Sequence, residues 1–247
     1  MIKIFIFIII MSTAIADTVN DTFDVANSYY NNGNYVNSIE FYEKIISEGL
    51  HSSHLYYNLG NAYYRQGMLG QSIWAYNKAI SLKPRLDDAK YNLEIAIASM
   101  KDRIILPVEL LPVRIYTDIK SSYTFNEWLF FGSLLVLVTV CFFVVSKVFI
   151  LSNHILRKTI SMFNLIIVLF HLVLIDLFLD NNEQELGIII SNGVNAYSGP
   201  FRGENTMLYT VNEGTRAEIY QRQGDWVEIG IIDGDKAWIP FKNIRQL

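Results

Sequence analysis

The sequence predicts a multidomain membrane chain: all-α helical repeats, then two transmembrane helices, then a C-terminal all-β small barrel. Three observations carry this prediction. Tyrosines and small residues recur at a 34-residue spacing between residues 17 and 103. Two apolar runs follow, at about 128–145 and 160–179, each near the 20 residues that cross a hydrocarbon core. Residues 186–247 then alternate short apolar runs with Gly, Asn and Asp turn residues.

Composition narrows the function classes. Of 247 residues 51% are hydrophobic and 18% charged, whereas soluble chains carry about a quarter charged. The apolar excess is therefore localised. A net charge of −4 argues against a general nucleic-acid binder. One cysteine, Cys141, rules out an intrachain disulfide and a Cys-based zinc site. Four scattered histidines do not make a multi-histidine metal centre, and no cofactor is implied.

The elements follow in chain order. Residues 1–16 have a basic start at Lys3, an apolar run Ile4–Met11 and a small-x-small site at Ala14/Ala16, which read as a signal peptide. An uncleaved anchor is the alternative. In 17–103, Gly33 and Gly67, Tyr29 and Tyr63, Ala26 and Gly60, Ser38 and Ser72, and Tyr42 and Tyr76 are each 34 apart, the tetratricopeptide period of a helix–turn–helix repeat. Small residues let paired helices approach, tyrosines fill the space between them, the glycines turn the chain, and Pro84 stops the second unit. A capping helix is predicted over 86–102. Two units and a cap fall short of the usual three, so support from a partner or from the membrane domain is expected.

Residues 104–123 read as a linker broken by Pro107 and Pro112, either an extended connector or an amphipathic segment on the membrane surface. The membrane region is placed at 124–180. Its first span opens with Thr124-Phe125-Asn126-Glu127, a capping-box spacing. The intervening loop carries Lys147, Arg157 and Lys158, and the far side carries Asp180, Glu183 and Glu185. The positive-inside rule makes the loop cytoplasmic and both flanks external, in agreement with a signal peptide. The implied location is a bacterial inner membrane with both flanking modules periplasmic. About five strands are predicted in 186–247, with Val227 and Ile229 inward and Trp226 and Glu228 outward.

Asn195-Ala196-Tyr197-Ser198-Gly199-Pro200, Glu213-Gly214-Thr215, Gly224-Asp225-Trp226-Val227 and Ala237-Trp238-Ile239-Pro240 together resemble bacterial SH3 (SH3b) domains. The resemblance implies an SH3-like fold with a ligand face at Tyr197, Trp226 and Pro240. Asn243 stands where the groove tyrosine of eukaryotic relatives falls, a departure from proline-rich peptide binding that leaves peptidoglycan, peptide or protein ligands. The full order of modules, with Asp88-Ala89-Lys90-Tyr91-Asn92-Leu93-Glu94 in the cap, resembles BatE-type proteins of the Bacteroides aerotolerance (Bat) operon family. That resemblance implies membrane partners with von Willebrand A domains and a MoxR-type ATPase. This chain has no GxxxxGK[ST] motif of its own.

The repeat register puts Phe23, Asn27, Tyr30, Asn31, His54, Tyr57, Asn61, Tyr64 and Arg65 on the concave face, with Asn27, Tyr30, Tyr57, Asn61, Tyr64 and Arg65 the candidate peptide-binding groove. Simple helix packing by the tyrosines is the competing reading. His51-x-x-His54 has a metal-like spacing but reads as solvated or capping. Asn164 and His171 share one face of the second span and read as helix–helix glue, between the two spans or to a partner, ahead of a proton pathway. No GxSxG, HExxH or paired-carboxylate spacing appears. The sequence therefore predicts a non-enzymatic scaffold, with peptidoglycan binding as the alternative.

Overall fold

The computed structural model describes residues 21–101, 110–148, 154–183, 185–203, 205–231 and 235–247. The predicted signal peptide, 1–16, lies outside them. Two compact units form: the described parts of Met1–Leu106 together with Glu185–Leu247, and those of Pro107–Gln184.

Five helices build the first part: α1 (21–31), α2 (Tyr35–Ser47), α3 (Ser53–Arg65), α4 (Leu69–Leu82) and α5 (Asp87–Ala98). Gly33 and Gly67 end α1 and α3 at φ 75° and 78°, a left-handed turn that a side chain resists. Asn34 caps α2 through Asn37 N, and Ser52 caps α3 through Leu55 N at 3.2 Å. The predicted close approach is real: a Cβ on Gly60 would lie 2.6 Å from the Tyr76 ring. Ala26, Tyr42, Leu59, Ile73, Tyr76 and Ala89 are all but fully buried in one core.

Seven strands follow: β1 (Glu185–Ile189), β2 (Val194–Tyr197), β3 (Met207–Val211), β4 (Arg216–Gln223), β5 (Trp226–Gly230), β6 (Lys236–Pro240) and β7 (Ile244–Gln246). They form one antiparallel sheet in the order β3-β2-β6-β5-β4-β1-β7. The count exceeds the five read from sequence because β2 and β7 have only 4 and 3 residues, too short for an alternation to show. Val227 and Ile229 are fully buried, while Trp226 and Glu228 are half-exposed on the other face. Irregular pairing at Ala196/Tyr197 and Ile219/Gln221 bends the sheet over its core.

The sheet packs on the helices. Trp74 on α4 donates its indole N–H to Gln246 O at 2.8 Å, and the Arg245 guanidinium lies 3.5 Å over its ring. Arg245 forks onto Glu43 at 2.7 and 3.1 Å and donates to the Tyr63 hydroxyl at 3.2 Å. Burial works against the Arg245 charge, but hydrogen bonding to Glu43 and that carboxylate's charge more than offset it. Burial, then the Glu43 charge, pushes the Tyr63 hydroxyl well above the usual phenol range. At the α4 N-terminus, Glu213 Oε2 accepts the free Gly70 N–H at 2.9 Å. Ile188 of β1 is buried within the helical core. The support expected from a partner or from the membrane domain thus comes instead from the β domain, which covers α4 and supplies the missing packing surface.

The second unit contains α6 (Leu111–Ser121), α7 (Phe125–Val148) and α8 (His154–Glu183). Within the described part of the predicted linker, 110–123, most residues are helical, and Pro107 lies outside the described residues. Pro112 does not break α6 because it sits in the first turn, where its missing N–H has no bond to make. The capping box is formed: Thr124 N donates to Glu127 Oε2 at 2.9 Å and Glu127 N to Thr124 Oγ1 at 3.3 Å. Phe125–Val145 and Ser161–Leu179 are long and apolar enough to cross a membrane. Their apolar stretches are 17% and 0% buried, unlike the mostly buried core helix of a soluble protein.

Candidate functional site

The concave face is built by α1, α3 and α5. Tyr30, Asn61, Tyr64 and Arg65 line a pocket of about 170 Å³ together with Tyr76, Asn92 and Ile95. Four of the six predicted groove residues are therefore brought together, and Asn27 and Tyr57 are not among the pocket's walls. Tyr57 instead lies beside Tyr76, ring centres 6.3 Å apart.

The asparagines serve the stack first. Asn27 Oδ1 accepts from the Tyr42 hydroxyl at 2.5 Å and from Asn58 Nδ2 at 3.0 Å. One period later, Asn61 Oδ1 accepts from the Tyr76 hydroxyl at 2.7 Å and from Asn92 Nδ2 at 2.8 Å. Each carbonyl oxygen holds two donors, its full complement. Asn61 can therefore offer a ligand only its N–H pair. Burial raises the Tyr42 hydroxyl to about 12 and pushes Tyr76 higher still, so both remain donors at physiological pH.

Arg65 is exposed at the pocket edge. Its Nε donates to the Tyr35 hydroxyl at 3.0 Å, and its guanidinium lies 5.4 Å from the Tyr35 ring centre. Tyr35 also meets Tyr30 edge-on at 5.4 Å. Arg65 is thus held over an aromatic wall, and the pocket's walls include a cation but no carboxylate. The pocket suits a ligand with hydrogen-bond acceptors and apolar area, such as an extended peptide. Asn92 and Ile95 join the groove although α5 reads from sequence as a cap alone, and Tyr76 joins it from α4, where it reads as filler between helices; the signal for Asn92 is that Asn58/Asn92 repeats the 34-residue spacing.

On the β domain, Trp226 pairs with Pro240 across β5 and β6, and Tyr197 pairs with Trp238 across β2 and β6. Tyr197 meets Trp226 edge-on at 5.5 Å and 88°. Tyr197, Trp226 and Pro240 are all half-exposed, so the three predicted face residues share one aromatic surface. Arg222 lies 3.8 Å over Phe241, the residue after Pro240.

His51 is engaged elsewhere than a metal: its Nδ1 bonds the Tyr56 hydroxyl at 2.9 Å and its ring stacks on Tyr56. Among the described residues no three His, Cys, Asp or Glu side chains gather as a metal site. Asn164 and His171 lie on the exposed side of α8. The α7–α8 contact is made by Gly132 against Phe170 and Leu174, and by Phe142 against Phe163 at 6.1 Å. His171 Nδ1 bonds Ile167 O of its own helix at 2.8 Å.

Residues 191–246 match the family described as bacterial SH3 domain, and residues 53–86 match the tetratricopeptide repeat family. No curated protein matches the chain.

Proposed function

We propose that this protein is a non-enzymatic, membrane-anchored scaffold whose tetratricopeptide and SH3-like modules mediate protein–protein interactions. One observation carries the reading: two recognition modules, encoded on either side of two apolar helices, fold against each other through Trp74, Glu43 and Arg245. Modules that touch must lie on the same side of any membrane that α7 and α8 cross. The positive loop residues Lys147, Arg157 and Lys158 favour the extracytoplasmic side of a bacterial inner membrane.

The order of modules supports a place in a Bat/MoxR-type envelope assembly linked to aerotolerance or stress, with von Willebrand A-domain membrane proteins and a MoxR-type ATPase as partners. Asn164 and His171, exposed on α8, supply polar contact points for a partner's membrane helix. Gentle detergent purification of the full chain with mass spectrometry tests this. Stoichiometric recovery of such partners, lost in an Arg65→Ala/Trp226→Ala chain, supports the reading; recovery of none refutes it.

The exposed aromatic face at Tyr197, Trp226 and Pro240 favours a second reading, a peptidoglycan-binding protein that positions cell-wall enzymes. Retention on purified sacculi that Trp226→Ala abolishes would establish it.

A further inference from the structure

The helix before the first span has three distinct sides. At 100° per residue, Leu111, Ile115 and Ile119 fall in one arc, Arg114, Thr117 and Ser121 in a second arc centred roughly 130° away, and Asp118 at the border between them. The polar arc is solvated, with Arg114 and Asp118 3.9 Å apart and each 72% exposed. The apolar arc is equally bare: Leu111, Ile115 and Ile119 are 69%, 50% and 53% exposed. A soluble helix of 11 residues turns such an arc into a core.

The third side fixes the helix in place. The Tyr116 hydroxyl and Lys120 Nζ both donate to Asp176 Oδ2, each at 2.5 Å. Asp176 stands three residues inside the Leu179 end of the second apolar segment, roughly 4–5 Å along the helix axis. This sets α6 at the boundary between hydrocarbon and headgroups. An aromatic belt marks the same level. The Trp128 indole N–H donates to Lys120 O at 3.2 Å, and Tyr123 meets Trp128 and Phe131 edge-on at 5.8 and 5.4 Å.

We propose that α6 is an interfacial membrane-binding helix, whose Leu111, Ile115 and Ile119 enter the lipid surface and which Asp176 clamps to the second span. The occupant of the apolar arc is lipid rather than protein because Asp176, which holds the helix, lies among exposed apolar residues of α8, Leu172, Ile175 and Leu179. Asp176, a carboxylate inside an apolar segment, is thereby explained as the anchor for a cation and a phenol rather than as part of a proton path.

The proposal rests on α7 and α8 being spans, and the test separates the two claims. The full chain carrying Cys141→Ser receives a single spin label through Ile115→Cys, Thr117→Cys or Val138→Cys, and is reconstituted into phosphatidylethanolamine/phosphatidylglycerol vesicles. Collision with oxygen, which partitions into lipid, is compared with collision with a water-soluble nickel chelate. The oxygen-to-nickel ratio should be high at Val138, and at Ile115 should exceed that at Thr117 by on the order of tenfold. Adding Asp176→Ala should bring the Ile115 ratio down toward that of Thr117. A low ratio at Val138 overturns the spans themselves. A high ratio at Val138 with equal ratios at Ile115 and Thr117 overturns the interfacial helix alone. Shielding of Ile115 from both reagents overturns the lipid occupant in favour of a protein one, and an Ile115 ratio unmoved by Asp176→Ala overturns the clamp.

Discussion

Replacing Gly70 by alanine separates a docked β domain from one that merely shares the chain. Gly70 lies in the first turn of α4, where alanine is intrinsically the better helix former by up to about 1 kcal/mol. If nothing packed there, Gly70→Ala would stabilise the repeats. In the structure a Cβ at Gly70 meets Ile189 O at 2.5 Å and Ile190 Cα at 2.8 Å, both backbone atoms that no rotamer change can move. The first distance is about 0.9 Å short of ordinary contact. Strand β1 must back away, and the bonds across the contact lengthen with it: Gly70 N to Glu213 Oε2 at 2.9 Å and the Trp74 indole to Gln246 O at 2.8 Å. A charge-assisted bond at about 1.5–3 kcal/mol and a neutral one at about 1 kcal/mol outweigh the helix gain. The net expectation is a loss of about 2–3 kcal/mol, read by denaturant unfolding of the full chain in detergent. Amide exchange should rise in α4, β1 and β7 and leave α7 unchanged. A Gly70→Ala chain as stable as the parent, or more so, refutes the docking.

Three further outcomes follow from the same geometry. In a double-mutant cycle, Arg245→Ala and Glu43→Ala should couple by about 1.5–3 kcal/mol, between the surface and buried limits, because the side chains are 26% and 30% exposed; coupling below about 0.5 kcal/mol would deny the fork a role. Asn61→Ala strips the acceptor from two donors in one step and should cost about 2–4 kcal/mol, whereas exposed Arg65→Ala should stay within about 0.5 kcal/mol, which makes Arg65 the cleaner probe of ligand binding by calorimetry. The Tyr42 hydroxyl is raised in the folded state from 10.0 to about 12, so folding favours its protonated form. That contribution, about 2–3 kcal/mol, is complete below pH 10 and is lost as pH climbs from 10 through about 12; unfolding at stepped pH should show the fall, and Tyr42→Phe should shrink it by that share, leaving the part due to the raised Tyr63 and Tyr76 hydroxyls.

What the sequence reveals here depends on whether a contact leaves a period. The helical repeats, the two spans and the alternating strands do leave one, and so does the groove: Tyr30, Asn61, Tyr64 and Arg65 fall together because the 34-residue register places them. The same register could not say that Asn27 and Asn61 spend their oxygens on Tyr42 and Tyr76, because an asparagine facing a groove and one tying two helices occupy the same position. The α6 helix hides behind Pro112, since a proline breaks a helix interior but fits a first turn. Docking of the β domain is the least legible part. Glu43 and Arg245 are 202 residues apart and belong to no repeat. Only Gly70, a glycine with no turn to make inside α4, hints that another backbone approaches there.

That docking changes what a scaffold of this kind can do. Two modules on a flexible tether gain effective concentration from the tether's length, and the gain falls as the tether grows. Here the groove on α1, α3 and α5 and the face at Tyr197, Trp226 and Pro240 belong to one packed unit. Their separation is fixed by the Trp74 contact, so a ligand engaging both would have to match that spacing as well as the local chemistry. The contact also orders assembly. The repeats are made first, but Ile188, Arg245 and Leu247 reach their core only after both apolar helices have been synthesised. Until then α4 presents Ile73 and Trp74 to solvent, the kind of apolar exposure that promotes misassembly. Docking of β1 and β7 on α4 closes that exposure. Completion of the helical core is thereby tied to the last strand and the residue after it, since Leu247 packs against that core.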